Sequence, residues 1–153
     1  MLPPDCACYL INLDRSAERL QAMTARLSAA GIAFERVAGV DGMALSEARF
    51  QELTRRHRYY KPLRRGEVGC YLSHVATLTR FIASGLPYAL LLEDDVVLPE
   101  DLSGLLASAL ALRARAHDPI LAWDVLKLSN KRARHVDLAG VDAGHRLVEF
   151  GPS

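Results

Sequence analysis

The chain has 153 residues, half of them apolar and 24% charged, with 19 Lys and Arg against 18 Asp and Glu for a net charge of +1. That length indicates one domain over residues 1–153, and the apolar content excludes a disordered chain, which needs low hydrophobicity and high net charge. The charge balance argues against a dedicated nucleic-acid binder, which carries a basic excess.

Residues 7–13 (Ala-Cys-Tyr-Leu-Ile-Asn-Leu) form an apolar run of strand length. Asp14-Arg15 ends it, Ser16 is a good N-cap, and Leu20, Met23, Leu27 and Ala30 recur at helical spacing up to Gly31. Ile32–Val37 reads as a second strand, and 38–42 as a turn. Residues 46–56 read as a polar helix. Six Arg or Lys lie between 55 and 65, where Pro62 prevents a long helix. A loop is expected there, with phosphates or an anionic membrane surface as candidate contacts. A helix follows from about Glu67 to Ser84, with Leu72, Val75, Thr79 and Ile82 on one side, stopped by Gly85 and Pro87. Tyr88–Leu92 is a buried strand by composition, and Leu102, Leu105, Leu106, Ala109 and Leu110 mark another helix. Asp124–Leu128 is a fourth strand candidate, and Arg146–Phe150 a further one.

Strands alternating with helices specify an α/β domain with a mostly parallel sheet flanked by helices. Ligands of such sheets bind outside the carboxyl ends of the strands. Four polar clusters fall at those ends: Asp14-Arg15, Asp41-Gly42, Glu93-Asp94-Asp95 and Ser129-Asn130. One rim of the sheet is therefore expected to be polar and acidic.

Three adjacent carboxylates after a buried strand repel one another, and a hard cation such as Mg²⁺ or Mn²⁺ removes that repulsion. A solvated acidic turn that caps the next helix is the other reading. Gly66-Glu67-Val68-Gly69-Cys70-Tyr71-Leu72-Ser73-His74 opens the long helix. Its free N–H groups favour an anion, although it is neither G-x-G-x-x-G nor a Walker loop. Ser73 and His74 either reach a ligand from the first turns or are ordinary helix residues. Three cysteines cannot close a disulfide framework, which indicates a reducing compartment. Cys6, Cys8 and Cys70 read as buried free thiols. The start, Met1-Leu2-Pro3-Pro4-Asp5, has neither a basic nor an apolar leader segment, so the expectation is a cytoplasmic protein.

Leu10-Ile11-Asn12-Leu13-Asp14-Arg15-Ser16 with Arg19, Val40-Asp41-Gly42, the Gly66–His74 block and Leu92-Glu93-Asp94-Asp95-Val96 come in an order and spacing that resembles glycosyltransferase family 25. These are the lipopolysaccharide and lipo-oligosaccharide glycosyltransferases of Gram-negative bacteria, with collagen galactosyltransferases as distant members. The resemblance runs from about residue 9 to residue 128. It implies a GT-A-like nucleotide-sugar domain and inverting, metal-assisted transfer of a sugar, often galactose from UDP-galactose, to a saccharide or lipo-oligosaccharide acceptor. It makes Glu93-Asp94-Asp95 the counterpart of the DxD motif, with Asp94 and Asp95 as catalytic positions and Glu93 and Asp95 as ligands of Mn²⁺ or Mg²⁺. It places Asn12, Asp14, Arg15, Asp41 and Gly42 near the nucleotide, with Glu67, Ser73, His74 and Glu93 in the same pocket. The implied location is the cytoplasm, at the inner face of the inner membrane.

Members of that family carry an acceptor-side segment for which this sequence offers no match beyond Leu128. The expectation is a donor-binding unit that turns over slowly or not at all, with an apolar edge beside the fourth strand covered by a second copy in a homodimer. Two rivals remain. One is a non-catalytic nucleotide-sugar-binding remnant. The other is a metal-dependent phosphoryl-transfer enzyme, which should show a nucleophile motif or a phosphate loop.

Overall fold

The computed structural model describes residues 2–56, 61–115, 123–128, 136–140 and 146–149. They fall into two compact units, Met1–Leu98 and Pro99–Ser153.

The first unit runs β1 (Cys6–Asn12), α1 (Ala17–Ala29), β2 (Glu35–Ala38), a 3-10 turn at Gly42–Ala44, α2 (Glu47–Thr54), α3 (Arg65–Ser84) and β3 (Tyr88–Glu93). The strands form one sheet in the order β2-β1-β3, all parallel. β1 is central, and Cys8 through Asn12 are buried, which explains its near-continuous apolar run. The register sets Ile11 beside Glu93 and Asn12 beside Ala38, so the carboxyl ends of all three strands come together. The α/β class expected from the alternation of elements is what the chain adopts.

Helix α1 buries Met23 and Leu27 as its periodicity indicates. Ser16 stands at its N-cap but makes no side-chain cap bond. The other end is a Schellman motif: Gly31 N–H donates to the Ser28 carbonyl and Ile32 N–H to that of Leu27. Ile32 is buried by this cap rather than by strand pairing, which is why β2 begins at Glu35 and not at Ile32. Helix α2 buries nothing, in keeping with its polar sequence.

Helix α3 turns a different face inward from the one its large apolar residues suggest. Val68, Gly69, Ser73 and Thr77 are buried, whereas Val75 is 41% and Ile82 77% exposed. The helix lies against β1, β2 and the 3-10 turn, and small residues at i, i+4 and i+8 allow that close approach. Arg65 belongs to α3 rather than to a loop, with its guanidinium on the Leu45 carbonyl and on Glu47. Of the rest of the basic stretch, residues 57–60 lie outside the described residues, and Arg55 and Arg56 are exposed.

The second unit holds α4 (Leu102–Arg115), β4 (Val136–Gly140) and β5 (Arg146–Glu149). Helix α4 buries Leu102, Leu105, Leu106 and Ala109, as its spacing indicates. Asp101 Oδ1 accepts the Gly104 N–H at 2.8 Å just before the helix proper. β4 and β5 pair antiparallel as a separate two-stranded sheet. The fourth parallel strand expected at Asp124–Leu128 is absent: residues 123–128 have no regular structure, and Val125 is 86% exposed. A five-residue apolar pattern does not by itself secure burial. Ser129-Asn130 lie outside the described residues.

Candidate functional site

The end of β1 is held by one side chain. Asn12 is 1% exposed, and its amide is fully engaged. Nδ2 donates to the Ser16 carbonyl at 3.0 Å and to Asp94 Oδ2 at 2.7 Å, while Oδ1 accepts from Arg36 Nε at 3.0 Å. Its backbone carbonyl accepts from Gly39 N–H and from Arg36 Nη2. Asn12 therefore ties together the loop after each of the three strands. Arg19, from the first turn of α1, reaches the other oxygen of Asp94 at 3.3 Å. Arg36 also meets Asp14 at 2.5 Å.

The loop after β2 is held by α3. Ser73 Oγ accepts the Val40 N–H at 2.8 Å and donates to the Gly69 carbonyl at 2.7 Å. A Cβ on Gly69 would lie 2.6 Å from both Gly42 N and the Val40 oxygen, and one on Gly42 would lie 1.8 Å from the Arg65 oxygen. Two backbones thus cross at a distance that only glycine permits. Asp41 caps the 3-10 turn through the Met43 N–H and pairs with Arg15 from the loop after β1.

These loops enclose a cleft of about 200 Å³ at the carboxyl ends of the strands. Arg15, Asp41 and Gly42 line one part, Ser73 and His74 the α3 wall, and Glu93, Asp94 and Asp95 the end of β3. Asn12, Asp14 and Glu67 are not in the lining. Asn12 is scaffold beneath it, Asp14 pairs with Arg36, and Glu67 accepts the Arg64 N–H at 2.6 Å as part of the α3 capping box. The triplet divides its work. Asp94 is spent on Asn12 and Arg19; Glu93 faces α3, with Oε1 at 3.0 Å from His74 Nε2 and 4.0 Å from Cys70 Sγ. Asp95 is exposed and has no partner among the described residues. Cys70 is exposed, not buried as its residue type suggests.

Comparison with known proteins gives the chain its family. The family described as "Glycosyltransferase family 25 (LPS biosynthesis protein)" matches residues 6–138. The chain belongs to glycosyltransferase family 25. It is 33% identical over 152 residues to a glycosyltransferase 25 family member of Drosophila melanogaster, with 95% of this chain and 24% of that protein covered. It is 30% identical to procollagen galactosyltransferase 2 of Homo sapiens over 81% of this chain and 20% of that one. It is also 30% identical to the human inactive glycosyltransferase 25 family member 3, over 95% of this chain and 25% of that one. The chain spans about a quarter of the length of the curated relatives it matches.

Two features of this family-25 cleft bear on its ligand. Its lining sets Arg15 and Arg19 against Asp41, Glu93, Asp94 and Asp95, so carboxylates outnumber guanidinium groups there. The exposed oxygens of Glu93 and Asp95 fit a hard divalent ion, which takes one or two carboxylates together with phosphate and water; Asp94, bonded on both oxygens, does not. The volume is below the roughly 300–1,000 Å³ of drug-sized ligand pockets. Sequence reading missed Arg36 and Cys70 as contributors. Arg36 acts across the sheet, which no local pattern reveals, but Cys70 and His74 are four apart on one helix and their shared face was readable.

None of the cysteines is poised as a nucleophile, since burial raises all three thiols. For Cys70 the charge of Glu93 adds to that effect. Cys8, in central β1, is pushed up to about 12 from 9.0 by burial and secondarily by Cys6. Below pH 9 both folded and unfolded chains keep this proton; above it the unfolded chain loses the proton first, so stability falls as pH rises. The expected loss approaches about 4 kcal/mol between pH 9 and pH 12. Urea titrations across that range should show it, and Cys8→Ala should flatten the dependence. An equally steep slope in the variant would refute it.

Proposed function

We propose that this chain carries the donor side of a glycosyltransferase that transfers galactose from UDP-galactose, with inversion, to a saccharide acceptor of the lipopolysaccharide type. The observation that carries the reading is the acidic cleft at the carboxyl ends of β1, β2 and β3, in a chain of family 25. The family description names lipopolysaccharide biosynthesis, and relatives named procollagen galactosyltransferases support galactose. When bound, Mn²⁺ or Mg²⁺ would supply positive charge to the diphosphate as it leaves. Glu93 and Asp95 hold that ion in this reading. Arg15 and Arg19 add cationic charge along the same wall, and Gly66 at the start of α3 leaves room for a phosphate against backbone N–H groups. Asp94 acts as a positioning residue: it braces the turn that presents Asp95.

Calorimetry of UDP binding tests this. Affinity should fall about 10-fold or more when EDTA replaces Mn²⁺, and by a similar factor in Asp95→Asn. Equal binding under all three conditions would overturn the metal-assisted donor site. A second reading, a unit that binds donor without turnover, is favoured by the likeness to the human inactive member. UDP release with UDP-galactose and a saccharide acceptor separates the two, and transfer by the purified chain would exclude the non-catalytic one.

A further inference from the structure

We infer that Cys70, His74 and Glu93 form a binding site for a zinc-class divalent cation, of different donor chemistry from the carboxylate pair assigned to the donor diphosphate. Cys70 and His74 stand at i and i+4 on α3, so Sγ and Nε2 share one helix face. Glu93 is the last residue of β3, and the register beside Ile11 brings its carboxylate to that face. The three ligand atoms lie within 4.8 Å of one another, with Nε2 to Oε1 at 3.0 Å and Sγ to Oε1 at 4.0 Å.

A four-coordinate zinc with bonds of about 2.0–2.3 Å separates its ligands by about 3.3–3.6 Å. Side-chain rotations of under about 1 Å therefore bring these atoms to a common ion. The side chains have the freedom for it: His74 is 39% and Glu93 49% exposed, and Cys70 is exposed as well. Thiolate and imidazole select borderline-soft ions over Mg²⁺ and Mn²⁺. Three protein ligands also leave a fourth position facing the cleft, the arrangement of an open site that admits water or an anionic oxygen.

Glu93 belongs to both sets of donors, so a zinc-class ion held here competes with a hard ion held by Glu93 and Asp95. That consequence rests on the donor-site reading; binding of the ion itself does not.

The test is Co²⁺ added to the purified chain and followed by absorption. One equivalent should bring up a near-ultraviolet thiolate-to-cobalt band and the intense visible bands of a four-coordinate ion, and Zn²⁺ should displace both. Cys70→Ser should remove the thiolate band, while His74→Gln should weaken Co²⁺ binding at least about 10-fold. Asp95→Asn should leave the spectrum unchanged. No thiolate band in the wild type, or a band that survives in Cys70→Ser, would overturn the site. So would an unchanged affinity in His74→Gln. Any of these results would leave the UDP calorimetry, and the reading it tests, untouched.

Discussion

Replacing Gly42 with alanine should lower stability by about 3 kcal/mol or more, among the largest effects of any single methyl group in this chain. The added Cβ would sit 1.8 Å from the Arg65 oxygen and 2.6 Å from its carbonyl carbon. Both atoms are backbone, so no side chain can swing aside, and the turn must part from the first residues of α3. Parting them breaks the bond from Val40 N–H to Ser73 Oγ and opens one wall of the cleft. Gly66, a single residue beyond Arg65, is the control. A Cβ there meets nothing within 4 Å, and alanine in a helix is favourable by roughly 0.5–1 kcal/mol over glycine. Gly66→Ala should therefore keep or raise the urea midpoint while weakening UDP binding, because Gly66 lines the cleft. A wild-type urea midpoint for Gly42→Ala would show that the two backbones are not locked together.

The contrast shows what a sequence can disclose. The strand ends, and with them the polar rim, follow from apolar runs that stop at charged residues, and β1, α1 and β3 lie within a residue or two of where periodicity puts them. The glycines of Val40-Asp41-Gly42 and Gly66–Gly69 are visible as glycines, but which one is sterically required depends on what crosses it, and that is tertiary information. The face of α3 was misjudged for a related reason. Hydrophobic size pointed to Val75 and Ile82, whereas the neighbouring loop demanded small residues, and Gly69, Ser73 and Thr77 met that demand. The acidic triplet was legible as a cluster but not as three different jobs. Only the register and the turn after β3 show Asp94 directed to Asn12, Glu93 to α3 and Asp95 to open cleft. A fourth strand was expected at Asp124–Leu128, yet Val125 is 86% exposed.

Asn12 has a bonding role that the sequence does not disclose, and its replacement carries the second large effect. The resemblance to family 25 implies that Asn12 lies near the nucleotide. In the fold its amide is used up by Ser16, Asp94 and Arg36. Asn12→Ala removes three side-chain hydrogen bonds, two of them to charged groups, from a position that is 1% exposed. A loss of about 3 kcal/mol is expected, with UDP binding weakened alongside, since the turn after β3 loses its tie to the end of β1 while the loop after β2 keeps its bond to the Asn12 carbonyl. Asn12→Asp is the more discriminating change. It keeps the size and the acceptor for Arg36 but sets a carboxylate where Nδ2 met Asp94 at 2.7 Å. Two carboxylates at that distance cannot both be charged without penalty, so one of the pair holds its proton to a higher pH than it does in the unfolded chain. The folded state then binds more protons than the unfolded state over the mildly acidic range. Stability is accordingly greatest at low pH and falls as pH rises. Urea midpoints measured from pH 4.5 to 7.5 should decline for Asn12→Asp, and the wild type should lack this decline. Parallel profiles for the two proteins would mean that Asp94 does not depend on Asn12, and that the three strand ends are held by something else.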